Sequence, residues 1–86
     1  MKIDFRTVEV KDIEGNPVAV DLSKELGNMM YLNAQDIAEA DLGHDIYHQG
    51  EVDLSKEQAT MVKDYIERGF KAIVKRVMIP MLDSIQ

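Results

Sequence analysis

The segment from Ser55 to Ile79 carries the strongest structural signal in this chain. Ser55 and Gln58 have the spacing of a capping box, in which each side chain bonds a free backbone N–H at the start of a helix. Since Pro80 has no backbone N–H, we expect one long helix of about 25 residues that ends or kinks near Ile79. We interpret Gly69 as a site of close packing, with a break in the helix as the alternative. The apolar stripe of this helix is predicted to face the core and consists of Ala59, Val62, Ile66, Phe70, Ile73 and Val77.

Residues 1–21 have the pattern of an antiparallel β-hairpin. Apolar and polar residues alternate from Ile3 to Lys11, and a shift of phase at residues 6 and 7 predicts a bulge or a later start of the strand. Residues 12–17 include Gly15 and predict a turn, after which Val18 and Val20 start a second alternating run. An isolated hairpin is barely stable in water, so we expect it to pack on the helices.

Residues 22–50 predict two shorter helices. The hexapeptide Val-Asp-Leu-Ser-Lys-Glu occurs at residues 20–25 and again at 52–57, and we interpret it as a helix-start signal used twice, in preference to an internal duplication. The first predicted helix spans residues 23–32. The second spans residues 34–49, with Asn33 and Asp36 as its start signal and Gly50 as its stop.

These elements predict an α+β fold, with a two-stranded hairpin packed on about three helices, the last one long. We expect a single domain over residues 1–86. It divides into the hairpin (1–21), the two shorter helices (22–50), and the long amphipathic helix with an apolar tail (51–86).

The composition excludes several classes of protein. There is no cysteine, so disulfides, thiolate metal sites and cysteine nucleophiles are ruled out. No apolar run approaches the ~18 residues of a membrane span, and the amino terminus lacks the apolar core of a signal peptide. We expect a cytoplasmic protein with no membrane partner. The glycines are isolated and form no phosphate-binding loop, so we expect no cofactor.

The charge is unevenly distributed along the chain. The formal net charge is −6, yet residues 58–86 hold 5 basic residues against 3 acidic ones. A helix-based nucleic-acid binder is a third option, but the overall negative charge repels phosphate backbones. We therefore interpret the basic strip as complementary to the acidic half of another copy. The strip consists of Lys63, Arg68, Lys71, Lys75 and Arg76.

His44 and His48 are the only two histidines in the sequence, and both are candidate metal ligands. Residues four apart on a helix point to one side, and this spacing recurs in zinc peptidases, where an acid follows the first histidine. Asp45 occupies that position here. No third histidine follows, whereas a catalytic zinc needs three protein ligands. A metal-binding protein or metal-dependent hydrolase is therefore the alternative reading of function.

Apolar residues exceed what one core stripe can cover in two places. The predicted helix over residues 34–49 is apolar on two sides, and the last ten residues are apolar all round the axis. We expect a self-association surface there, with the alternative that the tail completes the core. The predicted interface residues are Ile37, Ala40, Tyr47, Met78, Met81, Leu82 and Ile85.

Taken together, these patterns favour a non-enzymatic protein–protein interaction or assembly module. The expected partner is a second copy of the chain or another protein. An accessory protein of a larger assembly, for example of a phage-like particle or a mobile element, is compatible with this prediction.

Overall fold

The computed structural model describes residues 1–85 and has four short strands and four helices. The strands pair as two separate two-stranded antiparallel sheets, β1 with β4 and β2 with β3. The predicted α+β class is therefore confirmed. No helix in the described part of the chain is long and apolar enough to cross a membrane. The elements follow in the order β1 (Lys2–Asp4), β2 (Val8–Lys11), β3 (Pro17–Val20), α1 (Ser23–Asn33), α2 (Ile37–Gln49), β4 (Glu51–Asp53), α3 (Lys56–Gly69) and α4 (Ala72–Asp83).

The predicted β-hairpin is confirmed as β2–β3, with Val8 opposite Val20. Its turn needs the positive φ of 85° at Gly15, and the carboxylate of Asp12 accepts backbone N–H bonds from Glu14 and Asn16. Of the two interpretations of the phase shift at residues 6 and 7, the bulge is wrong and the later strand start is confirmed, since β2 begins at Val8. A turn there divides the amino-terminal run into two strands, and the apolar side chains on both sides of it are buried.

Strand β1 pairs with β4, which comes almost fifty residues later, and Ile3 lies opposite Val52. The backbone N–H of Phe5 extends this connection by donating to the carbonyl of Gly50 at 2.9 Å. Neither the strand β4 nor its pairing with β1 was predicted from the sequence. Three-residue strands carry too little alternation to reveal their pairing.

Helices α1 and α2 cross with their backbones in close contact at two glycines. A Cβ added to Gly27 would lie 2.6 Å from the carbonyl oxygen of Gly43 and 2.7 Å from Cβ of Tyr47. A Cβ added to Gly43 would lie 2.8 Å from Cβ of Met30. No ordinary side chain fits at either position, so glycine sets the distance between the two helices.

The helix starts differ in detail from the prediction. Helix α2 begins at Ile37, because Asp36 is its N-cap and accepts from the backbone N–H of Glu39 at 2.8 Å. The predicted stop at Gly50 is confirmed, with φ 75°. The two hexapeptides also act differently. Asp21 accepts both the backbone N–H and the hydroxyl of Ser23 before α1, whereas the predicted capping box of Ser55 and Gln58 is confirmed before α3.

The prediction of one long final helix is wrong, because the chain breaks between α3 and α4. Phe70 has extended backbone angles (φ −120°, ψ 159°), and its side chain turns into the core. The side chain of Met29 in α1 lies against Gly69 and occupies the space that a Cβ would need. The predicted end near Ile79 is also wrong, since α4 includes Pro80 and continues to Asp83.

The break changes which apolar residues are buried. Ile73, predicted at the centre of the core stripe, is 42% exposed, whereas Met78 is fully buried. The predicted tail interface is corrected accordingly. Met78, Leu82 and Ile85 belong to the core, and Met81 packs partly against it, so the alternative in which the tail completes the core holds.

The crossing of α1 and α2 predicts that Gly27→Ala destabilises the protein. Alanine forms helices better than glycine by ~1 kcal/mol, but its methyl group has no room here, and overpacking of this kind costs ~1–3 kcal/mol. Urea unfolding should show a net loss of stability. The matched control is Asn28→Ala on the same helix, whose exposed side chain predicts an unchanged or slightly raised stability. A Gly27→Ala protein that is more stable than the parent would contradict the close crossing.

The burial of the tail predicts opposite behaviour for two residues of α4. Met78→Ala should lower the free energy of unfolding by ~2–5 kcal/mol, because it leaves a cavity in the core. Ile73→Ala should change it by only ~0.5 kcal/mol, as is usual for exposed sites. Thermal unfolding followed by circular dichroism measures both. If Ile73→Ala lost more stability than Met78→Ala, the result would support the single long helix predicted from the sequence.

Candidate functional site

Exposed apolar side chains concentrate on helices α1 and α2. Among residues 1–85, eight large hydrophobic residues are exposed, and four of them lie on this helix pair. Single exposed hydrophobic residues are normal, but a local concentration marks an interaction surface. The four are Tyr31 (55% exposed), Leu32 (72%), Ile37 (80%) and Tyr47 (38%).

An aromatic cluster lines a groove of about 270 Å³ between the two helices. The imidazole rings of His44 and His48 have their centroids 4.4 Å apart, and Tyr31 and Tyr47 flank them at 6.5 Å and 5.0 Å. Gly27 also lines the groove, so the groove lies where the two helices cross closely. We define the α1–α2 face as Tyr31, Leu32, Ile37, His44, Tyr47 and His48.

Most charged residues near this face are acidic, although Arg6 donates to the backbone carbonyl of His48 at its edge. Residues 23–50 contain five carboxylates, Lys24 and no other lysine or arginine. Asp36, Asp41 and Asp45 are exposed on or beside α2. The α1–α2 face is therefore an apolar and aromatic surface in a negative field.

The structure divides the predicted basic strip into two parts. Lys63 on α3 pairs with Asp83 at 2.8 Å, and this hydrogen bond raises the pKa of the Lys63 ammonium. Arg68 pairs with Asp64 at 2.8 Å and lies over the ring of Tyr65. These two cations already have partners within the chain, although exposed pairs contribute little to stability.

The other part of the strip lies at the start of α4, which has no acidic residue in its first turn. Lys71 is the N-cap, and Lys75 and Arg76 follow within the first turns. Positive charges near a helix N-terminus are unfavourable because they oppose the helix dipole. Helix stability therefore does not explain their placement. We define the basic end of α4 as Lys71, Ile73, Lys75 and Arg76.

A second groove, of about 450 Å³, lies beside the basic end of α4. Val18 of β3 and Ile73 of α4 are exposed on its walls, and Phe70 also lines it. Asp21 and Glu25 contribute carboxylates to its lining. The groove exists because the break after Gly69 redirects α4, so the sequence pattern of one continuous helix could not predict it.

Tyr65 joins α3 to α2. Its ring is buried, and its hydroxyl donates to a carboxylate oxygen of Glu39 at 2.7 Å. Burial, together with this hydrogen bond and the charge of Glu39, raises the pKa of Tyr65 to about 12. Tyr65 could stack on a nucleic-acid base only if this contact with Glu39 opened.

The other predicted site residues are distributed as follows. Ile37 and Tyr47 lie on the α1–α2 face, and Ala40 is half-buried on α2. His44 and His48 are adjacent, but no group of three His, Cys, Asp or Glu side chains suited to a metal occurs within residues 1–85.

Neither Tyr31 nor Leu32 was assigned to a candidate surface from the sequence, although both are exposed. The signal was available in the run from Met29 to Leu32, since four consecutive apolar residues cannot all face one side of a helix.

Comparisons with known proteins add no functional information. No protein-family model matches the chain, and neither a curated protein nor a solved structure matches it.

The pKa of Tyr65 predicts a loss of stability at high pH. The folded state favours the neutral phenol, so its contribution is fully present below pH ~10, the ordinary tyrosine pKa, and is lost as the pH rises through about 12. Between these values, the unfolding free energy of the parent should fall more steeply than that of Tyr65→Phe. Deprotonation of the Lys63 ammonium changes the unfolding free energy of both proteins equally, so it cancels in this comparison. Tyr47→Phe, at an exposed site, is the control and should follow the parent; parallel curves for Tyr65→Phe and the parent would refute the assignment.

Proposed function

We propose that this protein is a non-enzymatic assembly module that associates with further copies of itself. The α1–α2 face of one copy binds the basic end of α4 and the adjacent groove of the next. One observation carries the proposal: the α1–α2 face is apolar with acidic neighbours, whereas Lys71, Lys75 and Arg76 lie beside exposed Ile73 at the edge of the second groove, which also contains Asp21 and Glu25. The two surfaces also lie on different helix pairs. Helix α2 packs on α1 and β4, whereas α4 packs on α3 and β2.

Charge favours this pairing over a symmetric one. If two α1–α2 faces met, Asp36, Asp41 and Asp45 of both copies would lie close together, and like charges repel. Against the basic end of α4, the same carboxylates meet Lys71, Lys75 and Arg76. Such exposed pairs are screened over ~8 Å at physiological salt, so they orient the partners more than they hold them.

Apolar contact supplies the larger share of the binding energy. Side chains such as Leu32 and Ile37 gain roughly 1.5–3 kcal/mol each when fully buried. The groove beside Ile73 offers apolar walls of matching character. Partial burial and the cost of association reduce the net affinity, which places the contact among weak interfaces.

The geometry of the contact determines what kind of assembly forms. Two different surfaces of the chain meet, so the interface is heterologous, and each copy leaves one surface open for another. Such contacts close into rings or continue as open chains of copies. This behaviour suits an accessory component of a larger assembly.

A charge-reversal experiment tests the proposal. Variant one carries Lys71→Glu, Lys75→Glu and Arg76→Glu, and variant two carries Asp41→Lys and Asp45→Lys. Each alone should self-associate less than the parent, because like charges face each other. An equimolar mixture should associate again, since each reversed surface meets its complement in the other variant. Sedimentation velocity at high micromolar concentration, in low salt and in ~0.15 M salt, gives the particle masses.

The matched control reverses two exposed lysines elsewhere, Lys11→Glu and Lys56→Glu, and should leave association unchanged. Circular dichroism verifies that each variant is folded. A parent that remains monomeric at high micromolar concentration overturns self-association. If the parent associates but neither reversal affects it, the assigned surfaces are wrong.

A further inference from the structure

We infer that His44 and His48 form a binding site for a divalent transition-metal ion such as Zn²⁺ or Ni²⁺, complete within one chain. The site does not require the assembly contact, but it lies on the α1–α2 face that this contact would cover, so it is tested on the monomer. The inference starts from the spacing of the two residues, four apart on α2, and from the 4.4 Å between their ring centroids.

The geometry is suited to chelation by two nitrogens. Zinc binds imidazole nitrogen at ~2.0–2.1 Å in a tetrahedral arrangement, which places two ligating nitrogens ~3.3 Å apart. Rings whose centroids are 4.4 Å apart are close enough for one nitrogen of each to approach this separation when the side chains rotate. Both residues are exposed, so an ion can reach them from solvent.

The surroundings hold the pair in place. Tyr47 meets the ring of His48 edge-on at 5.0 Å, and Tyr31 lies at 6.5 Å from His44 on the neighbouring helix. Both tyrosines line the same groove as the histidines. Rings restricted by such contacts lose less conformational entropy when they bind an ion. Asp41, one turn before His44, adds a negative charge that attracts cations.

The number of ligands defines what the site can do. No third protein ligand gathers around the pair in the described part of the chain, so water would complete the coordination shell. A catalytic zinc site uses three protein ligands and one open position. The pair therefore supports reversible binding of a metal ion and gives no support to hydrolytic chemistry.

The composition of the chain makes the site easy to test. There are only two histidines and no cysteine, so imidazole-dependent binding of a metal reports this pair alone. Zn²⁺ and Ni²⁺ bind imidazole nitrogen well, whereas Mg²⁺ prefers oxygen ligands. A site made only of the acidic residues of α2 would not favour Zn²⁺ and Ni²⁺ over Mg²⁺.

The experiment is isothermal titration of dilute parent protein with zinc chloride and, separately, with nickel and magnesium chlorides. Zinc and nickel should bind saturably with one ion per chain, and magnesium should not. His44→Gln and His48→Gln should each lose saturable binding, because one imidazole cannot chelate. Asp45→Asn, a charge change beside the pair, is the matched control and should retain it.

Three results would overturn the inference. These are equal binding of magnesium, binding that survives both histidine substitutions, and one ion per two chains with a doubled mass in sedimentation. The last result would mean that the ion bridges two copies. Because the titration is done on dilute monomer, failure of the metal site leaves the assembly proposal standing, and failure of the assembly proposal leaves the metal site standing.

Discussion

The close approach of α1 and α2 at Gly27 and Gly43 is the constraint on which the rest of the structure depends. Without side chains at the crossing, the two backbones touch, and Leu26, Met30 and Ile46 enter the core together. The same absence of side chains leaves a groove on the outer side of the helix pair. Packing within the core and the shape of the aromatic surface therefore have one cause.

The break between α3 and α4 determines the opposite surface. An unbroken helix would bury Ile73 and carry the tail away from the hairpin. Because Phe70 instead turns into the core, α4 packs on α3 and β2, and Met78 fills the space beneath them. The basic start of α4 is left at the edge of a groove. Of the two apolar surpluses that the sequence predicted, the one in the tail is buried in the core, whereas the one on the helix over residues 34–49 is exposed at Ile37 and Tyr47.

Local physics accounts for what the sequence could predict. The capping box at Ser55, the hairpin turn at Gly15 and the helix stop at Gly50 each depend on a few neighbouring residues. The break after Gly69 depends on Met29, forty residues earlier, and no local pattern reveals that contact. For the candidate site, helical spacing brought the histidines together correctly, but the exposed residues of α1 and the groove beside α4 require the tertiary arrangement.

The pairing of β1 with β4 has a consequence for the order of folding. It joins residues almost fifty positions apart, so the entropy of closing that loop must be met before the ladder forms. The β2–β3 hairpin and the α1–α2 pair lie inside the loop and use contacts between near neighbours in sequence. We expect them to form first and to bring Ile3 and Val52 within reach. The β1–β4 ladder would then form last, at the completion of folding. Amide hydrogen exchange in β1 and β4 measures when it forms.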